Sequence, residues 1–525
     1  MSSRNYIKII QVCCATIWCL FSAGIIFGFA ALKPILISEG VYSEVCVNER
    51  RAAEPPNSRP LCVAQDMKLN LIFTISAALT NVMALPVGYL LDRYGPRISA
   101  IIGSLFLASG SAAFILSSQL LPYFDPYITG YALFSIGGPF VFISCFQLAN
   151  TFPKRSGSIL ALITGAFDSS SALFLGYRVF YQQKDSSFGL QKFFTLYLLV
   201  PLFILICQLT IMPHQSYPSC GAVAKLSVEG LDESGHLLEG DDGAAICPDD
   251  EERQVLINEF DESEQSQIET ELPIRRKSVL ESYVEGKLEK KSGGVFGVLH
   301  GKTVAAQLKS PWYYLMLIFS VISMIRINYF IATIRSQEEY LLGDKDEALK
   351  LNSIFDVLLP AGGVIAIPFI GFLLDHVTSI MVLYILSFLS IVISILGLIP
   401  NSFSFNLLGI LLLVVYRPFY YTAVSDYATK VFGFETFGTV YGLMICISGI
   451  CNMGQGLLDK WTHTTFKMNP TPINSILLLV TIFSCGALLA FVTRTLHSEN
   501  IQNSFEGNTS AGNSDTELTA RYDST

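Results

Sequence analysis

Apolar stretches recur along this chain at a length and regularity that a soluble core does not need. Twelve of them lie near 7–32, 68–91, 98–118, 124–150, 157–181, 192–213, 311–333, 350–374, 378–399, 404–429, 434–460 and 473–495. A helix needs about 20 residues to cross the hydrocarbon of a bilayer. Backbone polar groups in lipid must be satisfied inside the protein, which favours helices over open strands. The pattern therefore predicts twelve membrane-spanning helices, six on either side of a polar stretch at 214–309. Arg4 and Lys8 precede the first apolar run as they would in a signal peptide. That run is too long for one, and no small-residue cleavage site follows it, so it reads as a retained first helix.

Composition supports this reading: 51% of the 525 residues are hydrophobic and 15% are charged. The net charge of -9 is a local property. Residues 214–309 hold 19 acidic and 10 basic side chains, which leaves 24 of each elsewhere. Acidity thus belongs to the connector and says nothing about the membrane body or its cargo. Such a connector buries little and is expected to be largely disordered, with a short helix near 279–291. The expected domains are an N-terminal bundle at 1–213 with an outward loop at 33–67, the connector at 214–309, a C-terminal bundle at 310–495 and a disordered tail at 496–525.

If the helices alternate, Arg4, Lys8, Arg93, Arg97, Lys154, Arg155 and Lys430 share one side, and Lys184 and Lys192 lie opposite. The bias of Lys and Arg toward inner loops makes the richer side cytoplasmic. Both termini and the connector then face the cytoplasm. Cys46 and Cys62 share the outward loop, where they form a disulfide or stay as two free thiols. A bridge there stabilises by ~3 kcal/mol in the loop-entropy picture. The other ten of the twelve cysteines sit in helices or on the reducing side.

The two halves repeat each other. Gly88-x-x-x-Asp92 and Gly371-x-x-x-Asp375 are 283 residues apart, each closing the second helix of its half. Gly138-Pro-Phe140 and Arg417-Pro-Phe419 are 279 residues apart, at the fourth helix of each half. A duplicated six-helix unit with a long inner connection resembles the major facilitator superfamily, whose parallel repeats rock about a midplane site. The stretch GYLLDRYGPR resembles that superfamily's loop motif Gly-x-x-x-Asp-Arg-x-Gly-x-Arg, filled here by Gly88, Asp92, Arg93, Gly95 and Arg97. The expected fold is an all-α membrane protein with 12 transmembrane helices in two six-helix pseudo-repeat bundles. In it, Gly88 permits close helix packing and Asp92 faces the positive N-terminus of helix 11. Arg93 and Arg97 pair across the cytoplasmic seam, and Asp375 marks the second copy. These contacts hold the outward-facing state. Simple topogenic charge accounts for the arginines but not for the spaced glycines and the aspartate.

Further stretches narrow the resemblance. Leu20-Phe-Ser-Ala-Gly-Ile-Ile-Phe-Gly28, Ser38-Glu-Gly-Val-Tyr-Ser43, Cys62-Val-Ala-Gln65 and Leu69-Asn-Leu-Ile-Phe-Thr74 are similar to solute carrier family 43. So are Gly157-Ser-Ile-Leu-Ala161, Ile370-Gly-Phe-Leu-Leu-Asp375, Arg417-Pro-Phe-Tyr-Tyr421 and Phe437-Gly-Thr-Val-Tyr-Gly-Leu443. The likeness covers the membrane body and excludes the connector and tail, and fungal members look most similar. It implies facilitated, sodium-independent transport of large neutral amino acids. One branch of the family is associated with purine nucleobases, so the likeness leaves the substrate open.

Ionisable groups deep in a bilayer cost about 2.5–3.5 kcal/mol on insertion scales and are candidate site residues by default. Arg417 lies near the centre of helix 10, and Arg326 slightly outward of centre in helix 7. Either guanidinium can grip a carboxylate through two N–H groups. Arg417 is the favoured holder of an α-carboxylate, with a structural pair to an Asp on another helix as its alternative. Arg326 has Asp356 as an alternative partner. Asp168, in the middle of helix 5, can carry a proton, bind a substrate ammonium or neutralise Arg417. Gly24 and Gly28 permit close approach of a helix or of substrate. Asn81, Gln147 and Asn328 are further polar candidates, either as ligands or as interhelical bonds.

No phosphate loop, metal-ligand cluster or nucleophile motif is evident, so no enzyme activity, cofactor, metal or nucleic-acid partner is expected. The partners implied are a small-molecule substrate and the lipid bilayer. Arg275-Arg-Lys-Ser278 resembles a kinase site, and Glu233-Ser-Gly-His-Leu237-Leu238 fits an acidic dileucine signal read by a sorting adaptor. Vacuolar or endosomal and plasma membranes both fit. A carrier of neutral amino acids, a carrier of nucleobases or another small solute (proton-coupled if Asp168 titrates), and a solute sensor without flux are the competing functions.

Overall fold

The structure, a computed structural model, describes residues 3–46, 63–152, 155–183, 188–213, 217 and 292–522. Among these residues every regular element is a helix. Eleven helices are long and apolar enough to span a membrane, and the longest, Met67–Ile115, is two spans joined at Gly95. The φ of 81° at Gly95 lies in the left-handed region, which costs glycine no Cβ clash and breaks the helix there. Twelve spans result among the described residues, as the apolar pattern predicts.

They are α1 (Tyr6–Ser38), α2 (67–94), α3 (96–115), α4 (Pro126–Thr151), α5 (Ser156–Gln183), α6 (Leu190–Thr210), α7 (Pro311–Leu342), α8 (Lys345–Ile365, continued by Ile367–His376), α9 (Ser379–Leu396), α10 (Phe403–Phe432), α11 (Phe437–Thr464) and α12 (Thr471–Leu496). The first six and the last six form the two bundles. Helical backbone runs on from α12 to Tyr522, where a disordered tail is expected from composition. Extending a helix already nucleated in the membrane adds one hydrogen bond per residue fixed.

Local chemistry sets several helix starts. The Asp125 carboxylate accepts from the N–H groups of Tyr127 and Ile128 ahead of α4, with Pro126 in the first turn. Ser310 caps α7 by accepting from the Tyr313 N–H, and Pro311 follows it. Asp344 does the same for α8 through Asp346 and Glu347. These are the expected N-cap and first-turn residues. Near its middle α1 breaks into a tight turn over Ile25–Gly28. The Gly24 N–H then donates to the Ser170 hydroxyl at 2.9 Å, and the Tyr131 hydroxyl donates to the Ile26 carbonyl at 2.8 Å. Backbone groups freed in the membrane are thus satisfied by neighbouring helices.

The loop after α1 is tied down. Tyr42 donates to the Asp125 carboxylate at 2.7 Å, and Lys68 Nζ lies 3.8 Å from that carboxylate and 3.9 Å from the Tyr42 ring centre. Burial, then the Asp125 carboxylate, push the Tyr42 hydroxyl far above its ordinary range and keep it a donor. Cys46 is disulfide-bonded; Cys62, its expected partner, lies outside the described residues.

The connector's described end is docked on the C-terminal bundle. Backbone N–H groups of Gly297 and Leu299 donate to the carbonyls of Lys430 and Val431, each at 3.0 Å. Val295 and Leu299 are buried. Gln307 donates to the carbonyls of Leu299 and Phe432 and accepts from the Thr436 hydroxyl, which fixes the turn between α10 and α11. Ser278, Leu237 and Leu238 lie outside the described residues.

Candidate functional site

Two seams join the bundles at one end of the molecule, and they are copies of each other. At the first, the Asp92 carboxylate at the end of α2 accepts from the N–H groups of Gly438 (2.8 Å) and Thr439 (2.6 Å) and from the Thr439 hydroxyl (2.6 Å). These donors open α11, so the carboxylate sits on the positive end of that helix. At the second, Asp375 at the end of α8 accepts from the N–H groups of Gly157 (2.8 Å) and Ser158 (3.2 Å) at the start of α5. The Ser158 hydroxyl donates to it as well. Helix 2 of one half thus seats on helix 5 of the other, in both directions.

Backbones touch along these seams. A Cβ on Gly88 would lie 1.8 Å from the Gly438 carbonyl oxygen, so only glycine fits. Further along, Gly442 abuts the Ala84 backbone and Gly449 abuts Asn81. On the other seam Gly165 and Gly363 face each other. Small residues allow such approach, and it closes this end, here termed the seam end.

Above the seams, between the bundles, lies a cavity of ≈ 60 Å³. Its walls come from α1 (Phe27), α2 (Thr80, Asn81, Ala84), α4 (Phe142), α5 (Thr164, Phe167, Asp168), α10 (Arg417, Tyr421) and α11 (Tyr441). Asp168 and Arg417 are 4% and 7% exposed and face each other across the bundle boundary, Nη2 to Oδ1 3.5 Å. That is an ion pair without a hydrogen bond. Both Asp168 oxygens and Arg417 Nε lack a hydrogen-bond partner among the described residues. The guanidinium carbon lies 5.7 Å from the Phe27 ring centre, and Tyr421 lines the same cavity as Arg417.

The expected site residues separate into three groups. Arg417 and Asp168 meet in the cavity, as the reading in which the aspartate neutralises the arginine foresees. Gly24 and Gly28 do not line it; a Cβ on either would strike the α5 carbonyls of Phe167 or Ser171, so they pack α1 against α5. Phe27, between them, is the α1 residue that reaches the cavity. Arg326 is also elsewhere, inside the C-terminal bundle, where Nη1 donates to the Ser390 carbonyl and the Ser394 hydroxyl. Asn328 donates to the Met324 carbonyl of its own helix at 3.0 Å, and Gln147 accepts from the Tyr217 N–H at 2.7 Å near the seam end. Depth in the membrane makes Arg326 and Asn328 candidates, but neither lines the central cavity.

At the seam arginines, the bonds seen lie within the first bundle. Arg93 is exposed and donates to Tyr89, four residues back on its own helix. Arg97 donates to the Leu209 carbonyl of α6, in its own bundle. The partners of both aspartates, Gly438-Thr439 and Gly157-Ser158, were hidden in the stretches FGTVYGL and GSILA. A Gly-Ser/Thr pair at a helix start was the available signal.

No family model matches the chain. Protein FMP42 of Saccharomyces cerevisiae is 64% identical over 485 residues, covering 92% of this chain and 94% of its own length. The bovine equilibrative nucleobase transporter 1 is 22% identical, over 89% of this chain and 92% of its own. The human large neutral amino acids transporter small subunit 3 is 29% identical over 44% of this chain and 42% of its own. Among solved structures, the proton:xylose symporter XylE superposes with a TM-score of 0.58 at 13% identity, covering 94% of this chain and 97% of that one. The human organic anion transporter MFSD10 gives 0.55 at 12%, covering 92% and 100%.

Twelve spans in two repeated bundles around a shared cavity define a multi-pass membrane transporter. The chain belongs to the major facilitator superfamily, where it is related to fungal members and to transporters of the solute carrier family 43 type.

Proposed function

We propose that the chain carries large neutral amino acids by alternating access, with Arg417 and Asp168 as the cargo's two polar contacts. The observation that carries this reading is the loose Arg417–Asp168 pair, with unused hydrogen-bonding capacity on both partners, inside an aromatic cavity shared by the bundles. A zwitterion answers both ends. Its carboxylate takes the guanidinium N–H groups, and its ammonium takes the Asp168 oxygens. Buried polar atoms left without partners cost about 1–3 kcal/mol each, so a ligand that satisfies them gains that difference. Phe27, Phe142, Phe167, Tyr421 and Tyr441 supply apolar surface for a large side chain. The seam end is placed at the cytoplasm on the loop-charge asymmetry, with both termini there.

A second reading has its own support. Asn81 and the aromatic walls also suit a flat nucleobase, and the nucleobase transporter named above aligns over nearly its whole length. Counterflow in proteoliposomes, over a panel of amino acids and nucleobases, separates the two. Labelled leucine or phenylalanine is expected to exchange and adenine is not. Arg417→Ala is expected to abolish exchange while the protein still reaches the membrane. Exchange by that variant at the unaltered apparent affinity removes Arg417 from the site, and adenine exchange alone replaces the cargo.

A further inference from the structure

Arg326 takes no part in the central cavity, yet its burial needs an explanation. It projects from α7 toward α9, α10 and α12 and is 7% exposed. Nη1 is held by the Ser390 carbonyl and the Ser394 hydroxyl, and the guanidinium carbon lies 5.5 Å from the Tyr416 ring centre. Nε and Nη2 are buried without an acceptor. Among the described residues no carboxylate comes within ion-pair distance of it; the side chain of Asp356 lies outside them. Beside Arg326 is a second, small cavity, ≈ 40 Å³, lined also by Tyr329, Ser394 and Asn474.

Neutral dipoles and a ring face solvate a guanidinium without cancelling its charge. In a medium of low dielectric an uncancelled charge is strongly unfavourable, and the two idle N–H groups add to the penalty. Unused hydrogen-bonding capacity and positive charge therefore lie on a side chain that itself lines the cavity. We propose that this pocket binds a small monovalent anion, a halide or a short carboxylate, which accepts from Nε and Nη2. The site lies inside one bundle and away from the cavity between the two. Its ligand is a resident that holds α7, α9, α10 and α12 together, and its existence does not depend on which cargo the central cavity takes.

The test is thermal unfolding of the purified full chain in sodium chloride, sodium acetate and sodium gluconate at equal ionic strength, gluconate being too large for the pocket. Chloride or acetate is expected to raise the midpoint saturably, by about 2–4 °C over gluconate. A response to chloride alone identifies a halide site, and a response to acetate as well identifies one that takes carboxylates. Arg326→Gln is expected to erase the difference between salts. Should that variant fail to fold, Ser394→Ala, which frees one anchor of the guanidinium, is expected to shift the half-saturating concentration severalfold. Equal midpoints in all three salts overturn the proposal. So does a salt response that survives Arg326→Gln, or one that emerges only in Asp356→Asn, which would make Asp356 the internal counter-ion.

Discussion

The α2–α11 and α8–α5 seams have one design and different surroundings. Each seats an aspartate on the first N–H groups of a helix in the opposite bundle and adds a hydroxyl from Thr439 or Ser158. Only the first is followed by arginines; Arg93 bonds to Tyr89 within α2, and Arg97 donates to the Leu209 carbonyl of α6. What the two copies share is the carboxylate on a helix start, and that contact is the one we propose as the latch. The glycine at the crossing also differs. At Gly88 the opposing atom is a backbone carbonyl that an added Cβ would meet at 1.8 Å, whereas at Gly371 the nearest atoms belong to Ser158, at 2.9 Å.

The largest effect expected from this difference is at the glycines. Gly88→Ala puts its methyl into a backbone that cannot step aside, and overpacking of this kind costs about 1–3 kcal/mol. Uptake is expected to fall at least about tenfold, while Gly371→Ala is expected to lose less, because its methyl meets the Ser158 Cα and hydroxyl at 2.9 Å, a milder overlap than 1.8 Å. Equal losses in uptake assays would make the two crossings equivalent.

A smaller effect is expected from the hydroxyls. Thr439→Val and Ser158→Ala each remove one donor to a carboxylate and leave two backbone donors in place. A loss of about 1 kcal/mol per latch shifts the balance toward opening at the seam end about fivefold. Thiol labelling from that end, at a cysteine introduced at Thr80 in a cysteine-depleted background, reads the shift directly. Labelling that rises for one variant alone would show that one seam carries the closure.

Least of all should change with Arg93→Ala. Its guanidinium is exposed and bonded within α2, so uptake is expected to stay within about twofold of the parent. A tenfold loss would restore the arginine to the seam.

The twelve spans and the duplication were legible in the sequence because lipid imposes a length on every helix and because the Gly-x-x-x-Asp spacing recurs. That Asp92 faces helix 11 was implied by the resemblance of GYLLDRYGPR to the superfamily's loop motif, whereas its partners Gly438 and Thr439 carried no such label. What failed to be legible was azimuth. Arg326 and Arg417 both lie inside apolar spans, and only packing shows that Arg417 faces the other bundle and Arg326 its own. Gly24 and Gly28 misled in a related way, since a small-residue spacing announces close approach without naming what approaches. The pairing of Asp168 with Arg417 stood as one alternative among three, because residues 249 positions apart carry no local signal of contact.

Two latches at one end of a rigid body leave it a single freedom, rotation about the line that joins them. With Asp92 and Asp375 both engaged, one bundle can still swing against the other on that axis, like a door on two pins. In the alternating-access cycle proposed above, the fastening at the seam end would then double as the hinge for the far end. Cargo entry there would leave both latches engaged, and release at the seam end would need both to open.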